Sequence, residues 1–253
     1  MDSEAAIAEH DLDLALAAQL QAALLPRACP SDCPHQRAAA RNRMCRSIGG
    51  DFYDFLRLND DQIALAVGDV VGHGVRSSLI MAQIMGFLRF ADKRRSRPPQ
   101  MVAALNRMLI ELGEKTGSVT PCSIIYGVID APTGLAVFVN AGHPRPFLCG
   151  DESCGVTHLH AHNILLGVED FEPEEICLTF KPGQRLALYT DGLADAASPS
   201  GEPFGDERLR EAICRQSASD PDQCADAVFA AVAAHRDGAA QLDDETIVVI
   251  DRV

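Results

Sequence analysis

The stretch Ile63-Ala-Leu-Ala-Val-Gly-Asp-Val-Val-Gly-His-Gly74 joins a short apolar run to a glycine-rich turn that carries one carboxylate, Asp69. Residues 63–67 have the length and the residue types of a buried strand. From Gly74 to about Arg94, apolar residues occupy nearly every side of a helical pattern, which predicts a buried helix. The stretch therefore predicts a strand that reaches Asp69, a tight turn, and then a helix within the core.

The segments on the N-terminal side of this stretch predict a hairpin and a preceding helix. Gly49-Gly50 opens a turn into a strand over 51–56, and Asn59-Asp60-Asp61 is a turn signal before 63–67, so the two runs form a hairpin. Residues 37–46 are a further candidate strand. Residues 4–24 carry leucines at a spacing of four, which predicts a helix with one apolar stripe, and Pro26 terminates the pattern.

The segments on the C-terminal side alternate between groups of strands and pairs of helices. A second, amphipathic helix is predicted over 101–112 after Pro98-Pro99. Short β-rich segments follow at 122–130, 135–140, 145–149, 155–160, 174–180 and 185–190, then helices at 205–217 and 220–236, and a last strand at 246–250. Strands in hairpin-spaced runs favour mainly antiparallel sheets. We predict one α+β domain over 27–253, preceded by a linker or regulatory helix over 1–26.

Composition excludes several classes of protein. The chain has 253 residues, of which 47% are hydrophobic and 23% charged, so a disordered or collagenous chain is ruled out. Against 36 acidic residues it has 22 Lys and Arg, a net charge of −14. Such a chain repels a phosphate backbone, so nucleic acid is not an expected partner, and the short basic run over 93–97 has the pattern of a solvated helix end.

The sequence favours a cytoplasmic protein with no membrane segment. It has no apolar stretch of about eighteen residues and no signal peptide at its start. Its nine cysteines are irregularly spaced and odd in number, which suits reduced thiols. Two clusters have some resemblance to zinc sites, Cys29 and Cys33 with His35, and Cys149 and Cys154 with the histidines at 158, 160 and 162. No second pair follows the first cluster at finger-like spacing, and a half-exposed polar face of a strand explains the histidines of the second, so zinc is disfavoured at both.

Four carboxylates lie where a strand-like run meets a turn, namely Asp51, Asp69, Asp191 and Asp243. A glycine beside each of the first three lets the backbone approach a ligand closely. Several carboxylates without matching Lys or Arg are costly to gather unless a hard cation neutralises them, and Mg²⁺ or Mn²⁺ suits oxygen-only ligands. The alternative for any one of them is a simple turn signal.

Seven blocks of sequence occur together in order and resemble one family. They are Gly49-Gly-Asp-Phe-Tyr-Asp54, Val67-Gly-Asp-Val-Val-Gly-His-Gly74, Asn140-Ala-Gly-His-Pro144, Lys181-Pro-Gly183, Leu188-Tyr-Thr-Asp-Gly-Leu193, Phe204-Gly205 and Asp243-Asp-Glu-Thr246. The whole is similar to bacterial metal-dependent phosphatases of the SpoIIE/RsbU type, within the type 2C serine/threonine phosphatases (the PPM superfamily). The resemblance covers residues 18–252 and implies an αββα sandwich, two β-sheets packed together with helices outside.

The resemblance also implies roles for individual residues. Asp69 resembles the carboxylate that bridges two Mn²⁺ or Mg²⁺ ions, and the backbone carbonyl of Val70 resembles a ligand to one of them. Asp191 and Asp243 resemble ligands of the first ion, and Asp51 supports the second directly or through water. Asp244 is a weaker candidate ligand at the neighbouring position. Catalysis through Asp69 and Asp191 would use a metal-activated water and no protein nucleophile.

Three basic residues near these blocks have more than one interpretation. His73 lies two residues further from Asp69 than the histidine proposed as general acid in eukaryotic relatives, so a structural role is favoured over proton donation, and both stay open. His143 is expected to be a turn residue packed near the site. Arg46 is expected to be solvated, with contact to a substrate phosphate as the alternative.

The implied function is hydrolysis of phosphoserine or phosphothreonine on a protein. By resemblance, the substrate is an anti-anti-sigma factor of the STAS type in a partner-switching pathway that controls a sigma factor. One alternative is a non-catalytic binding module on the same fold. A remote alternative is a diguanylate cyclase, because Gly49-Gly-Asp-Phe52 echoes a loop of those enzymes. The leucine row of the N-terminal helix predicts a homodimer or contact with an upstream sensor, against packing within one chain.

Overall fold

The computed structural model describes residues 2–26, 35–91, 96–150, 153–156, 163–216 and 219–253. The helices in these ranges are α1 (Asp2–Leu24), α2 (Val75–Phe90), α3 (Pro98–Thr116), α4 (Asp191–Ala194), α5 (Gly205–Cys214) and α6 (Pro221–Arg236). The strands are β1 (Gln36–Arg43), β2 (Phe52–Arg57), β3 (Gln62–Val70), β4 (Cys122–Asp130), β5 (Leu135–Ala141), β6 (Phe147–Gly150), β7 (Ser153–Val156), β8 (Ile176–Thr179), β9 (Arg185–Tyr189) and β10 (Glu245–Arg252).

The strands form two five-stranded sheets. One has the order β1-β10-β9-β6-β7 and the other the order β2-β3-β4-β5-β8. All the strand pairs within them are antiparallel, including the predicted hairpin of β2 and β3. The sequence-based prediction of mainly antiparallel sheets is confirmed.

Side chains that alternate along each strand face either the other sheet or the helices, and the fold therefore has four layers. On β9, Leu186 and Leu188 pack between the two sheets, while Ala187 and Tyr189 face helices α5 and α6. The other sheet turns its second face to α2 and α3, where Ala64 of β3 is fully buried. Successive strand residues point to opposite faces, so strands buried on both sides are apolar throughout. The predicted αββα sandwich is confirmed.

One face of helix α2 is exposed to solvent, whereas the sequence predicts a helix buried on nearly every side. Its buried face packs against the sheet as expected, but Val75 and Leu79 are exposed. A pattern that is apolar all round predicts burial all round, and that prediction is wrong for this face. The helix therefore leaves apolar side chains uncovered at its N-terminal end, beside the turn that follows Asp69.

Two cysteines differ from the predicted state. Cys149 and Cys214 each take part in a disulfide, whereas Cys45 and Cys122 are among the free thiols. The prediction of reduced thiols is wrong for the first two, because the fold packs α5, which carries Cys214, against the hairpin of β6 and β7. Such a contact leaves no trace in sequence spacing.

Several predicted features lie wholly or partly outside the described residues. These are both candidate zinc clusters, the basic run over 93–97, and the end of the strand predicted at 155–160. Among the helices that the structure describes, none combines the length and the apolar character needed to cross a membrane. Helix α1 exposes Leu12, Leu16 and Leu20. Pairing of this row with a second copy or an upstream sensor stays a prediction.

Candidate metal centre

The predicted carboxylates come from strand ends of both sheets. Asp69 is the penultimate residue of β3 and pairs with Ser123 of β4 in one sheet. Asp191 begins α4, two residues after the end of β9, and Asp243 lies two residues before β10. Strands β9 and β10 belong to the other sheet. Because the two sheets pack face to face, these ends meet at one edge of the sandwich. The structure therefore brings together residues separated by more than a hundred positions in sequence.

The electrostatics of Asp69 show how close these acids lie. Burial, together with the charges of Asp191, Asp243 and Asp244, raises the pKa of Asp69 to about 7. The pKa of Asp191 is raised by burial and then by the charges of Asp243 and Asp195. All the charged groups acting on these two carboxyls are acids. A cluster of this kind favours cations over protons once ions are available.

Asp243 lies at the exposed side of the same cluster, next to His73. Burial raises the pKa of Asp243, while the backbone N–H of Asp244, which donates to Asp243 Oδ1 at 2.9 Å, lowers it. The charge of His73 lowers it as well. His73 is itself exposed in the turn between β3 and α2. The structure thus puts this histidine at the rim of the site, within electrostatic reach of one carboxylate.

Asp51 is held from the opposite sheet by two threonine hydroxyls. Its side chain is almost completely buried, and its Oδ2 accepts hydrogen bonds from Thr190 Oγ1 at 2.7 Å and from Thr246 Oγ1. Burial and the charge of Asp69 raise the pKa of Asp51 well above its usual range, and the two hydroxyls oppose that shift. The threonines therefore stabilise the ionised carboxylate and fix its direction.

Thr190 and Thr246 also bind each other across neighbouring strands. Thr246 N donates to Thr190 Oγ1 at 3.0 Å, and Thr190 N donates to Thr246 O at 3.1 Å. Sequence reasoning missed both residues as site residues. The available signal was their place in two of the seven blocks, immediately before Asp191 and directly after Glu245.

Asp244 anchors the loop that precedes Asp51. Its side chain is buried, and its two oxygens accept the backbone N–H groups of Cys45 at 2.7 Å and Gly50 at 2.8 Å. The structure thus gives Asp244 a clear role in positioning this loop. Its predicted role as a metal ligand stays a prediction.

Gly50 permits a close approach of the loop before β2 to the end of β3, beside Asp69. A Cβ atom on Gly50 would lie 2.4 Å from the carbonyl oxygen of Val70 and 2.9 Å from Asp69 Oδ1. Val70 N in turn donates to Gly50 O at 3.4 Å. Only glycine leaves the Val70 carbonyl and the Asp69 carboxylate side by side at this point.

His143 is a buried turn residue, as the sequence predicts. Its backbone N–H donates to Asn140 Oδ1 at 2.9 Å, and its ring Nδ1 lies 2.7 Å from Ser123 Oγ. Burial lowers the pKa of His143 to about 3, against a small opposing effect of a backbone hydrogen bond with Tyr189. The ring is neutral at physiological pH. Arg46 is exposed, as expected of a solvated side chain.

Helix α1 contacts the site through one buried glutamine. Gln21 Nε2 donates to the backbone oxygen of Gly49 at 2.7 Å, and Gly49 N donates to Gln21 Oε1 at 3.0 Å. Gly49 directly precedes Gly50 and Asp51. Arg89 of α2 adds a second contact, because it donates to the backbone oxygen of Leu24 at 2.5 Å. The end of α1 is thus fixed to the loop that carries Asp51.

The donor set has the chemistry of a hard-cation site. It consists of carboxylates and one backbone carbonyl, with no sulfur or nitrogen. Within the described residues, however, no group of three or more His, Cys, Asp or Glu side chains is placed so as to hold a metal ion as it stands. The assignment of individual ligands stays a prediction.

The comparisons with known families identify the fold and the family together. The family described as Stage II sporulation protein E (SpoIIE) matches residues 59–253. The chain belongs to the SpoIIE family. The match includes Asp69, Asp191 and Asp243 and begins after Asp51. The resemblance to SpoIIE/RsbU-type phosphatases stated from the seven blocks is confirmed.

Individual relatives agree with membership of the SpoIIE family. Protein IcfG of Synechocystis is 29% identical over 267 residues, which cover 95% of this chain and 42% of that protein. Phosphoserine phosphatase RsbP of Bacillus subtilis is 32% identical over 151 residues, which cover 58% of this chain and 37% of that protein. The chain spans less than half the length of either relative.

Solved structures show that this SpoIIE-family chain has the PP2C fold. The SiaA-PP2C domain of Pseudomonas aeruginosa superposes with a TM-score of 0.83 at 22% identity, covering 98% of this chain and 99% of that one. The catalytic domain of the serine/threonine protein phosphatase PstP, solved with two manganese ions, has a TM-score of 0.57 at 21% identity and covers 87% and 99% of the two chains.

Proposed function

We propose that this domain is a metal-dependent protein phosphatase that hydrolyses phosphoserine or phosphothreonine. The observation that carries the proposal is the convergence of Asp69, Asp191 and Asp243 from strand ends of two different sheets, where each raises the pKa of a neighbour. Membership of the SpoIIE family supports it. So does RsbP, a relative that is named a phosphoserine phosphatase.

The predicted ligands fit two divalent cations in their chemistry. We assign Asp69 as the shared ligand, with the Val70 carbonyl, Asp191 and Asp243 on one ion and Asp51 on the side of the second. Asp244 supports the loop and is the weakest candidate ligand. Bound here, Mn²⁺ or Mg²⁺ would activate water for attack on phosphorus and neutralise charge on the phosphoryl oxygens. The PstP structure with manganese supports this choice of ions.

The chain's own residues hold the site in place and control access to it. Thr190 and Thr246 donate to the Asp51 carboxylate, which favours its ionised form and fixes its direction. Asp244 ties Gly50 into position beside Val70. His73 is exposed at the rim of the site, within electrostatic reach of Asp243. We keep a structural role for His73 as the preferred hypothesis.

The proposed substrate is a phosphorylated STAS-type anti-anti-sigma factor in a cytoplasmic partner-switching pathway. RsbP and RsbU of Bacillus subtilis, two relatives named phosphoserine phosphatases, support the phosphoserine part of this proposal. The STAS class of substrate rests on the resemblance stated from the seven blocks. Helix α1 would transmit a signal from a second copy or an upstream sensor, because its exposed leucines leave a free face and Gln21 contacts Gly49. The non-catalytic alternative would require loss of the ligand carboxylates, and this chain retains them. The cyclase hypothesis gains no support from the fold.

The test is hydrolysis of p-nitrophenyl phosphate and of a phosphoserine protein with Mn²⁺, compared across matched variants. Asp69→Asn and Asp191→Asn should each lose about a hundredfold or more of the activity, because each removes a charged ligand. Asp61→Asn changes an exposed turn residue at the other end of β3 and should retain activity. Full Mn²⁺-dependent activity in Asp69→Asn would contradict the assignment. Calorimetry that detects no Mn²⁺ binding would revive the non-catalytic module.

A further inference from the structure

Large apolar side chains surround the turn that follows Asp69. Val71 is 56% exposed, Val75 54%, Leu79 66% and Val119 57%. Val75 and Leu79 lie four residues apart on α2 and therefore share one face of the helix. We call these four residues the entrance patch. Monomeric proteins seldom leave several large apolar side chains together on the surface unless something binds there.

Hydrogen bonds fix the entrance patch as one surface. Arg76, in the first turn of α2, donates through Nη2 to Ser118 Oγ at 2.8 Å, to the backbone oxygen of Val119 at 3.1 Å and to Thr120 Oγ1 at 3.0 Å. Val71 N donates to the backbone oxygen of Pro121 at 3.0 Å. The α2 turn and the segment after α3 are thus held together. A partner that binds here loses little free energy to ordering of the surface.

The patch is continuous with the carboxylate centre. Val71 is two residues beyond Asp69, and His73, between Val71 and Val75, lies near Asp243. A phosphoserine that reaches these carboxylates must bring the protein surface around it over the same turn. The first turn of α2 carries no acidic residue, so the helix itself adds no carboxylate that would repel a phosphate.

The other end of α2 lacks this relationship to the site. Phe90 is 90% exposed, but it lies fifteen residues beyond Val75, about 22 Å along the helix at 1.5 Å per residue. An exposed apolar side chain on the same helix thus serves as a control for exposure alone.

We propose that the entrance patch is the docking surface for the protein substrate, a folded STAS-type domain that presents apolar surface beside its phosphoserine. The inference rests on the proposed phosphatase function and adds to it the residues that select a protein over a small phosphoester. Leu79 and Val119 are specificity-determining residues, and neither is a ligand of the centre. A small phosphoester reaches the carboxylates without covering the patch.

The experiment compares two substrates in the presence of Mn²⁺. We measure kcat/KM for a STAS-domain protein phosphorylated on serine and kcat/KM for p-nitrophenyl phosphate, and take their ratio for the wild type, Leu79→Ser, Val119→Ser and Phe90→Ser. The first two variants lie on different elements, so a local effect on α2 cannot explain both. We expect each to lower the ratio about tenfold, while Phe90→Ser keeps the wild-type ratio.

Three results would overturn the docking inference. One is an unchanged ratio in both Leu79→Ser and Val119→Ser. Another is a wild type that hydrolyses p-nitrophenyl phosphate but not the phosphorylated STAS domain. The third is a dimer, measured at assay concentration, that Leu79→Ser converts to a monomer, which would make the patch a contact between copies. A wild type without Mn²⁺-dependent hydrolysis of p-nitrophenyl phosphate would instead contradict the proposed function itself.

Discussion

The side-chain amide of Gln21 satisfies both backbone polar groups of Gly49, with Nε2 2.7 Å from the carbonyl oxygen and Oε1 3.0 Å from the backbone nitrogen. The two residues are 28 positions apart, and the bonds are buried. The side-chain amide of Gln21 thus makes the pair of hydrogen bonds that the backbone of a neighbouring β-strand would make with Gly49. The position of α1 and the position of the loop before Asp51 are therefore coupled by two hydrogen bonds.

Replacing Gln21 with leucine tests this coupling. The substitution leaves a buried N–H and a buried carbonyl without partners, which should destabilise the fold by about 1–3 kcal/mol. The loop before Asp51 also loses its support, so the Mn²⁺ concentration needed for half-maximal activity should rise. Gln19→Leu, on the exposed side of the same helix, is the matched control. Equal unfolding free energies and equal Mn²⁺ responses in the two variants would contradict the coupling.

Replacing Thr246 with valine tests the support of Asp51. The variant has nearly the same shape but lacks the hydroxyl that donates to Asp51 Oδ2. Since that bond lowers the pKa of Asp51, its loss should favour the protonated acid and weaken Mn²⁺ binding by about tenfold or more. Thr246→Ser retains the hydroxyl and should restore most of the affinity, measured by calorimetry. If serine and valine behave alike, the hydroxyl has no such role.

Adding one methyl group at Gly50 should disable the centre. In Gly50→Ala the new Cβ would lie 2.4 Å from the Val70 carbonyl oxygen, so the loop before β2 and the end of β3 must move apart beside Asp69. We expect loss of phosphatase activity and a lower melting temperature. Gly86→Ala adds the same atom in the middle of α2, where nothing lies within 4 Å, and should stabilise the fold by about 0.5–1 kcal/mol. A fully active Gly50→Ala would show that the approach is not required.

The low pKa of His143 predicts that the folded protein loses stability in acid. Its pKa is about 3 in the folded chain against 6.5 for an ordinary histidine, so between these values the unfolded chain binds one more proton at this residue. The stability from neutral His143 is fully present above pH 6.5 and is lost as the pH falls toward 3, by about 1.4 kcal/mol per pH unit. Urea unfolding of His143→Asn at pH 4.5, 5.5 and 6.5 should show a shallower pH dependence than the wild type. Parallel curves would mean that the ring is protonated in the folded chain.

The sequence predicts the layers of the fold because buried side chains recur at a regular spacing along each strand. Leu186 and Leu188 alternate with Ala187 and Tyr189, and each set faces a different layer. The same logic places Asp69 and Asp191 at strand ends, since a glycine and a carboxylate end an apolar run. These features depend on neighbours in sequence, so they can be recognised without the structure.

Other features depend on contacts that no local pattern encodes. The bond from Thr190 to Asp51 joins residues 139 positions apart, and the two bonds between Gln21 and Gly49 join a helix to a distant loop. The exposed position of Leu79 is a further example, because an apolar pattern shows only that a side chain is apolar. Whether such a side chain is covered by its own chain or left for a partner is decided by packing between elements.

Because the predicted ligands come from both sheets, ion binding should affect the stability of the whole sandwich and not of one sheet alone. Asp69 lies at the end of a strand of one sheet, while Asp191 and Asp243 flank strands of the other. An ion bound by all three would therefore connect the two layers. A ligand that binds only the folded state stabilises it in proportion to the logarithm of its concentration. Hydrogen exchange at the end of β3 and at the start of β10 should therefore slow together when Mn²⁺ is added.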